Sequence, residues 1–186
     1  MVQSLAKLNG CLAVVAEPYN VPDHLSWSGS EDGSVAAYFW WSNNPESSVF
    51  SPLGKGRRHV TVKWRELVVI GGYFSPTRPF QEFEAYLGEL ELAIRRYGAR
   101  PVLVLKDFNS KSTIWGNPRT DVRGRALEEL AAACNLVVLK EGTRHTCVRR
   151  DGGSIVDVTL ASPSAVRRVN KSGRTWKPYP TIDTSS

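Results

Sequence analysis

A layered α/β protein, with sheets covered by helices, is the fold class that this 186-residue chain predicts. Short runs rich in Val, Ile and aromatic residues alternate with two amphipathic helices, and a hydrophobic fraction of 41% is enough for one core. Strands are expected over Cys11–Ala16, Val35–Trp41, Val60–Trp64, Leu67–Phe74, Pro101–Leu105, Leu136–Leu139 and Ile155–Ala161, each bounded by Gly, Pro, Asn or Ser. Between Phe80 and Tyr97 the residues Phe80, Phe83, Tyr86, Leu87, Leu90, Ile94 and Tyr97 recur every three or four positions. Thr77 and Pro79 open that helix and Gly98 closes it. A second helix is expected over Val122–Cys134, with Asp121 as N-cap and Leu127, Leu130, Ala131 and Cys134 on its inner face. Ser42–Gly56 reads as a long loop or a poorly formed hairpin. With no internal repeat, residues 1–186 read as a single domain.

Composition narrows the function classes. The sequence holds no run of 18 apolar residues, and its first twenty residues lack a basic flank leading into a long apolar stretch. A nuclear or cytoplasmic protein without membrane association is expected. Cys11, Cys134 and Cys147 are odd in number and far apart, which points away from a disulfide framework or a zinc site and toward buried thiols in a reducing compartment. Formal net charge is +6, and the stretch from Lys140 to Lys177 carries nine Lys/Arg against three Asp/Glu, so the whole excess lies there. A basic face of this kind suits a polyanion, whose phosphates release counterions on contact. A merely solvated basic surface is the alternative.

Chemistry-bearing residues stand at the ends of expected strands, where a rigid sheet presents its loops. Glu17 follows "CLAVVA", Tyr73 follows "LVVIGG", and Asp107 and Asn109 follow "PVLVL". The two-residue period of an extended chain places Asp107 and Asn109 on one side, with Phe108 turned to the core. Asp157 stands inside the apolar run "SIVDVTLA". A lone carboxylate there costs several kcal/mol, so it pairs with an arginine, caps a backbone group or meets a metal.

In order and spacing, "AEPY", "YFSPT", "KDFNSKSTIWGNPRTDVRG" and "GGSIVDVTLAS" resemble successive motifs of the endonuclease/exonuclease/phosphatase superfamily, specifically the apurinic-type endonuclease domain of non-LTR retrotransposons. The resemblance runs from about Cys11 to Trp176. It implies a four-layer sandwich of two mixed β-sheets flanked by helices, and metal-assisted phosphodiester hydrolysis that nicks target DNA. Glu17 matches the family's metal-binding glutamate, and a hard oxygen ligand suits Mg²⁺ or Mn²⁺. Asp107 matches the aspartate that orients or deprotonates the attacking water, Asn109 the amide that donates to the scissile phosphate, and Tyr73 the phenol that hydrogen-bonds it. Asp157 matches the aspartate that orients a catalytic histidine. DNA is the implied partner, together with a reverse transcriptase region of the same polyprotein.

Departures from the family pattern bear on activity. Lys106 occupies a position that is usually glycine, so weaker metal affinity is expected. The family's asparagine-bearing first strand and its Ser-Asp-His ending are expected to be lacking, and with them much of the turnover. His24, His59 and His145 read as structural. In the loop after Asn109, Trp115 is expected to plug the core, while Arg119 and Arg123 are candidates for tracking a nucleic-acid backbone. A binder of nucleic acid without activity, or a phosphoesterase for small substrates, are the other readings; "SIVDVT", "DVRG" and the basic segment favour a nucleic-acid partner over small substrates.

Overall fold

A computed structural model describes residues 2–7, 10–40, 50–139, 147–149, 152–154, 157–171 and 176–178. Along the chain come β1 (Val2–Lys7), β2 (Gly10–Ala16), β3 (Trp27–Gly29), β4 (Val35–Trp40), β5 (Phe50–Lys55), β6 (His59–Trp64), β7 (Leu67–Tyr73) and α1 (Phe80–Arg96). They are followed by β8 (Val102–Asp107), α2 (Val122–Ala133), β9 (Val137–Leu139), β10 (Cys147–Arg149), β11 (Gly152–Ser154), β12 (Asp157–Ala161), α3 (Pro163–Lys171) and β13 (Trp176–Pro178).

The strands form a five-stranded sheet ordered β13-β1-β2-β4-β3, a six-stranded sheet ordered β5-β6-β7-β8-β12-β9, and the small pair β10-β11. Only two residues separate β6 from β7, which makes them an antiparallel hairpin, whereas β7 reaches β8 through α1 and therefore runs parallel to it. That crossover makes the six-stranded sheet mixed. The five-stranded sheet is antiparallel in every described pairing, a correction to the expectation of two mixed sheets. The reason is β1, a strand that periodicity did not announce: two residues separate it from β2, too few for a crossover.

Side-chain alternation turns these sheets into a sandwich. Leu12, Val14, Ala16, Val35 and Ala37 of one sheet meet Val60, Val62, Trp64, Val69, Leu103 and Leu105 of the other. The opposite face of the six-stranded sheet, with Val68, Ile70, Val102, Val104 and Leu160, packs on Phe83, Tyr86, Leu87, Leu90 and Ile94 of α1 and on Leu127 and Leu130 of α2. Burial on both faces is why β7 and β8 read as continuous apolar runs rather than alternating ones. Asp121 caps α2 as expected, accepting from Gly124 N at 2.7 Å. Pro79 occupies the N-cap of α1 without a side-chain bond; Thr77 instead shares a hydroxyl contact of 2.9 Å with Ser75. The expected loop over Ser42–Gly56 contains the edge strand β5, bent by a bulge between Pro52 and Gly54, and positions 41–49 lie outside the described residues.

Candidate active site

Register brings the site together. Tyr73 of β7 and Asp157 of β12 both pair with Asp107 of β8, so three adjacent strands deliver a phenol and two aspartates on a single rung. Glu17 arrives from the facing sheet, one residue beyond the end of β2. The site is therefore a rim where the two sheets of the sandwich end together. Asp157's side chain and that of Lys106 lie outside the described residues; their backbones place them on β12 and β8.

Two of the residues at this rim hold an unusual backbone. Among the described residues four non-glycine residues have positive φ, and two of them are easily explained: Arg65 (φ 56°) turns the β6–β7 hairpin, and Asn135 (φ 51°) ends α2 with Leu136 N donating back to Ala131 O at 2.8 Å. The other two are Glu17 (φ 50°) and Asn109 (φ 47°). Such conformations persist only where surrounding bonds enforce them. Glu17 N donates to Ser34 O at 2.8 Å; Asn109 N donates to Asp107 Oδ1 at 3.1 Å, and Asn109 Nδ2 to Phe74 O at 3.1 Å. Phe108 is fully buried, as alternation predicts, but β8 ends at Asp107 and Asn109 reaches the site through its left-handed turn rather than through strand pleating.

The electrostatics show that these groups feel one another. Burial, reinforced by the Glu17 carboxylate that accepts from it and by the charge of Asp107, pushes the Tyr73 hydroxyl up to about 12. Burial likewise raises Asp107 to about 6; the Asn109 N–H opposes the shift and the Glu17 charge adds to it. Two carboxylates thus repel across the rim with a phenol donating to one of them. Among the described residues no trio of His, Cys, Asp or Glu converges. The donors here are oxygen atoms of two carboxylates in mutual repulsion, a set that a hard divalent cation with most of its water shell relieves, so the residues present fit Mg²⁺.

Neighbouring residues divide into packing and surface. Trp115 is 2% exposed and donates through Nε1 to Ser110 O at 3.2 Å, which makes it the core plug that was expected. Arg123 does not face outward to a nucleic-acid backbone: it lies 5.3 Å over the Phe74 and Phe83 rings and donates to Ser75 O (3.3 Å), Pro76 O (3.2 Å) and Arg78 O. Half-buried against two aromatics and tied to three backbone carbonyls, it is engaged in packing, which corrects the expectation that it tracks a nucleic-acid backbone. Arg119 is exposed. His24 is an exposed loop residue whose Nδ1 accepts from Ser26 N at 3.1 Å, His59 is buried on β6, and His145 lies outside the described residues, as do most of the side chains of the basic stretch from Lys140 to Lys177. An open cleft of about 670 Å³, lined by Tyr19, His24, Trp27, Asp32 and Lys55 among others, starts at Pro18 beside Glu17 and adjoins the carboxylates rather than containing them. Sequence reasoning missed Arg58, a buried cation whose neighbours in "KGRRHV" read as an ordinary basic turn.

A two-sheet sandwich with acidic and amide groups at its rim defines a member of the endonuclease/exonuclease/phosphatase superfamily. The sequence model of the endonuclease-reverse transcriptase family matches residues 67–185, more than half of the chain, and the chain belongs to that family. In structure it is similar to the endonuclease domain of TRAS1, a telomere-specific non-LTR retrotransposon, with a TM-score of 0.64 at 24% identity over 84% of this chain and 74% of that one. A 3′-5′ exonuclease, NExo, from Neisseria meningitidis gives a TM-score of 0.49 at 20% identity over 76% of this chain and 67% of its own. No curated protein matches the sequence.

Proposed function

We propose that the chain is a DNA-nicking endonuclease of a non-LTR retrotransposon, hydrolysing phosphodiesters with Mg²⁺ or Mn²⁺ and acting beside a reverse transcriptase region of the same polyprotein. The observation that carries this reading is the meeting of Glu17, Tyr73, Asp107 and Asn109 at one rim, two carboxylates beside two neutral donors. Phosphodiester hydrolysis builds negative charge on the phosphorus oxygens, and needs one base and several donors that do not ionise. Glu17 would hold the cation, with the Asp107 carboxylate next to it, and the bound cation would supply charge stabilisation at the phosphate.

Each side chain then has a task suited to its state. Asp107, raised toward neutrality, accepts the proton of the attacking water near Asp107 Oδ2, since Oδ1 already takes the Asn109 N–H. Asn109 Nδ2 spends one hydrogen on Phe74 O, and its second donates to a phosphate oxygen. Tyr73, protonated throughout the physiological range, donates rather than attacks. Asp157, whose backbone pairs with Asp107 in register, stands at the position that matches the family's histidine-orienting aspartate. The positive charge of the chain attracts the DNA.

The deciding experiment is nicking of supercoiled plasmid in Mg²⁺, with and without EDTA. EDTA-sensitive open-circular product is expected, and Glu17→Gln is expected to raise the Mg²⁺ needed for half-maximal rate by about 10- to 100-fold. Salt-sensitive DNA binding without cleavage at any metal concentration would identify an inactive binder instead.

A further inference from the structure

Glu17 and the other site residues come from different sheets, so something must fix the two rims against each other. The turns that do so are β3–β4 and β5–β6. Glu31 N donates to Gly56 O at 3.0 Å and Asp32 N to Arg57 O at 3.2 Å, which joins the turns along their backbones. Arg58 is 7% exposed, and its Nε lies 3.6 Å from Asp32 Oδ2 while its Nη2 lies 3.5 Å from Glu82. A buried guanidinium is costly to desolvate and is retained where its fork serves several partners.

Asp32, the Arg58 carbonyl and the Phe74 ring each lead to a site residue, whereas Glu82 pairs outward with Arg78. Asp32 Oδ1 accepts from Ser30 Oγ and from Ser34 N, both at 3.0 Å, and so shapes the turn whose Ser34 carbonyl holds the Glu17 N–H in its left-handed conformation. Burial works to raise the Asp32 carboxyl, but bonds from Ser34 and Ser30 and the charge of Arg58 keep it below the usual range, so it stays ionised. The Arg58 carbonyl accepts from Tyr73 N at 3.4 Å. Its guanidinium sits 5.4 Å over the Phe74 ring, and Phe74 in turn receives the Asn109 amide on its carbonyl and donates its N–H to Asp107 O at 3.2 Å.

We infer that Arg58 and Asp32 are positioning residues, an inter-sheet clamp that sets Glu17 against Tyr73, Asp107 and Asn109. The activity part of this inference rests on the function proposed above; the structural part does not. The geometry gives the clamp one task beyond folding: it controls the separation of groups contributed by the two sheets. A misplacement of about 1 Å in such a site lowers turnover on the order of tenfold to 100-fold.

The test uses the full chain with Asp32→Asn, Arg58→Met and the double variant. Asp32→Asn keeps an oxygen for the Ser34 N–H while replacing the charged oxygen that faces Arg58 by a neutral amide nitrogen, so it is the variant that folds most readily. Amide hydrogen exchange is expected to quicken at least about tenfold at Glu17 and Ser34 in both single variants, with Val69 and Leu103 in the core unchanged. In nicking assays kcat is expected to fall by about tenfold or more with KM for DNA little altered, and the double variant is expected to be no slower than the slower single one, as for two groups acting as a unit. Exchange that quickens equally at Val69 and Leu103 would reduce the pair to general stability, and unaltered exchange at Glu17 in Asp32→Asn would remove the clamp altogether. If the unmodified chain does not nick DNA, the functional reading fails while the exchange measurement still decides the clamp.

Discussion

Asp107→Asn is expected to lower metal-dependent nicking by about 10²- to 10⁴-fold, the range for removing a base from a proton-transfer step, and at the same time to stabilise the protein at neutral pH. The second effect follows from the raised carboxyl. Folding moves Asp107 from the ordinary aspartate value of 3.8 to about 6, so the native state binds a proton that the unfolded chain has already released. Stability therefore falls as pH rises between those two values, and above about 6 the native protein carries the full penalty, on the order of 2 kcal/mol. Asparagine removes that penalty above pH 6 and changes little near pH 3 or below, where both states hold the proton. Denaturant unfolding at about pH 3 and pH 7.5 measures this directly: the variant should gain only at the higher pH, and a loss at both would mean that the Asp107 carboxylate is held by partners rather than strained by burial. The nicking rate of the unmodified chain should climb through about pH 6 and level off above it, in step with deprotonation of the same group.

Much of this site was legible because strand ends are legible. Glu17, Tyr73 and Asp107 each follow an apolar run that is buried on at least one face; burial on both faces made β7 and β8 visible as continuous apolar runs, and burial of one face made α1 and α2 visible from periodicity. Apart from β1, a six-residue strand between β13 and β2, what escaped was short or lay at an edge. β3 spans three residues, β5 is a bulged edge strand, and α3 is a nine-residue helix whose only advance notice is Ser162, which accepts from Ala165 N at 3.3 Å, and the proline after it. Asn109 was placed correctly beside Asp107 for an incomplete reason, since alternation cannot foresee a left-handed residue. Arg58 and the packing role of Arg123 were invisible for a different cause: a basic residue in a polar stretch reads as solvated, and only the fold reveals that Phe74 receives one from the β5–β6 turn and one from the first turn of α2.

The loop that carries Asn109 depends on a glycine, and replacing it should be the most damaging glycine-to-alanine change among the described residues. Gly124 stands in the first turn of α2, where helix propensity alone favours alanine by up to about 1 kcal/mol. A Cβ at that position would lie 1.9 Å from Lys111 O and 2.7 Å from Lys111 C, backbone atoms two residues beyond Asn109. Lys111 O also accepts from Asp121 N at 2.9 Å, and Asp121 in turn caps the helix on Gly124 N, so the overlap cannot be relieved without separating the helix start from the loop. Overpacking of this kind costs more than propensity returns, and Gly124→Ala is expected to destabilise by about 3 kcal/mol, which for a chain of this size lowers Tm by roughly 6–12 °C. Because the displaced segment begins just after Asn109, nicking should fall even below the melting transition. Gly88 supplies the control: it lies in α1 with nothing within 4 Å of its would-be Cβ, so Gly88→Ala should raise stability by about 0.5–1 kcal/mol and leave cleavage unchanged. Equal behaviour of the two variants in thermal unfolding would show that the contact between α2 and the 109–121 loop is not what holds that side of the site in place.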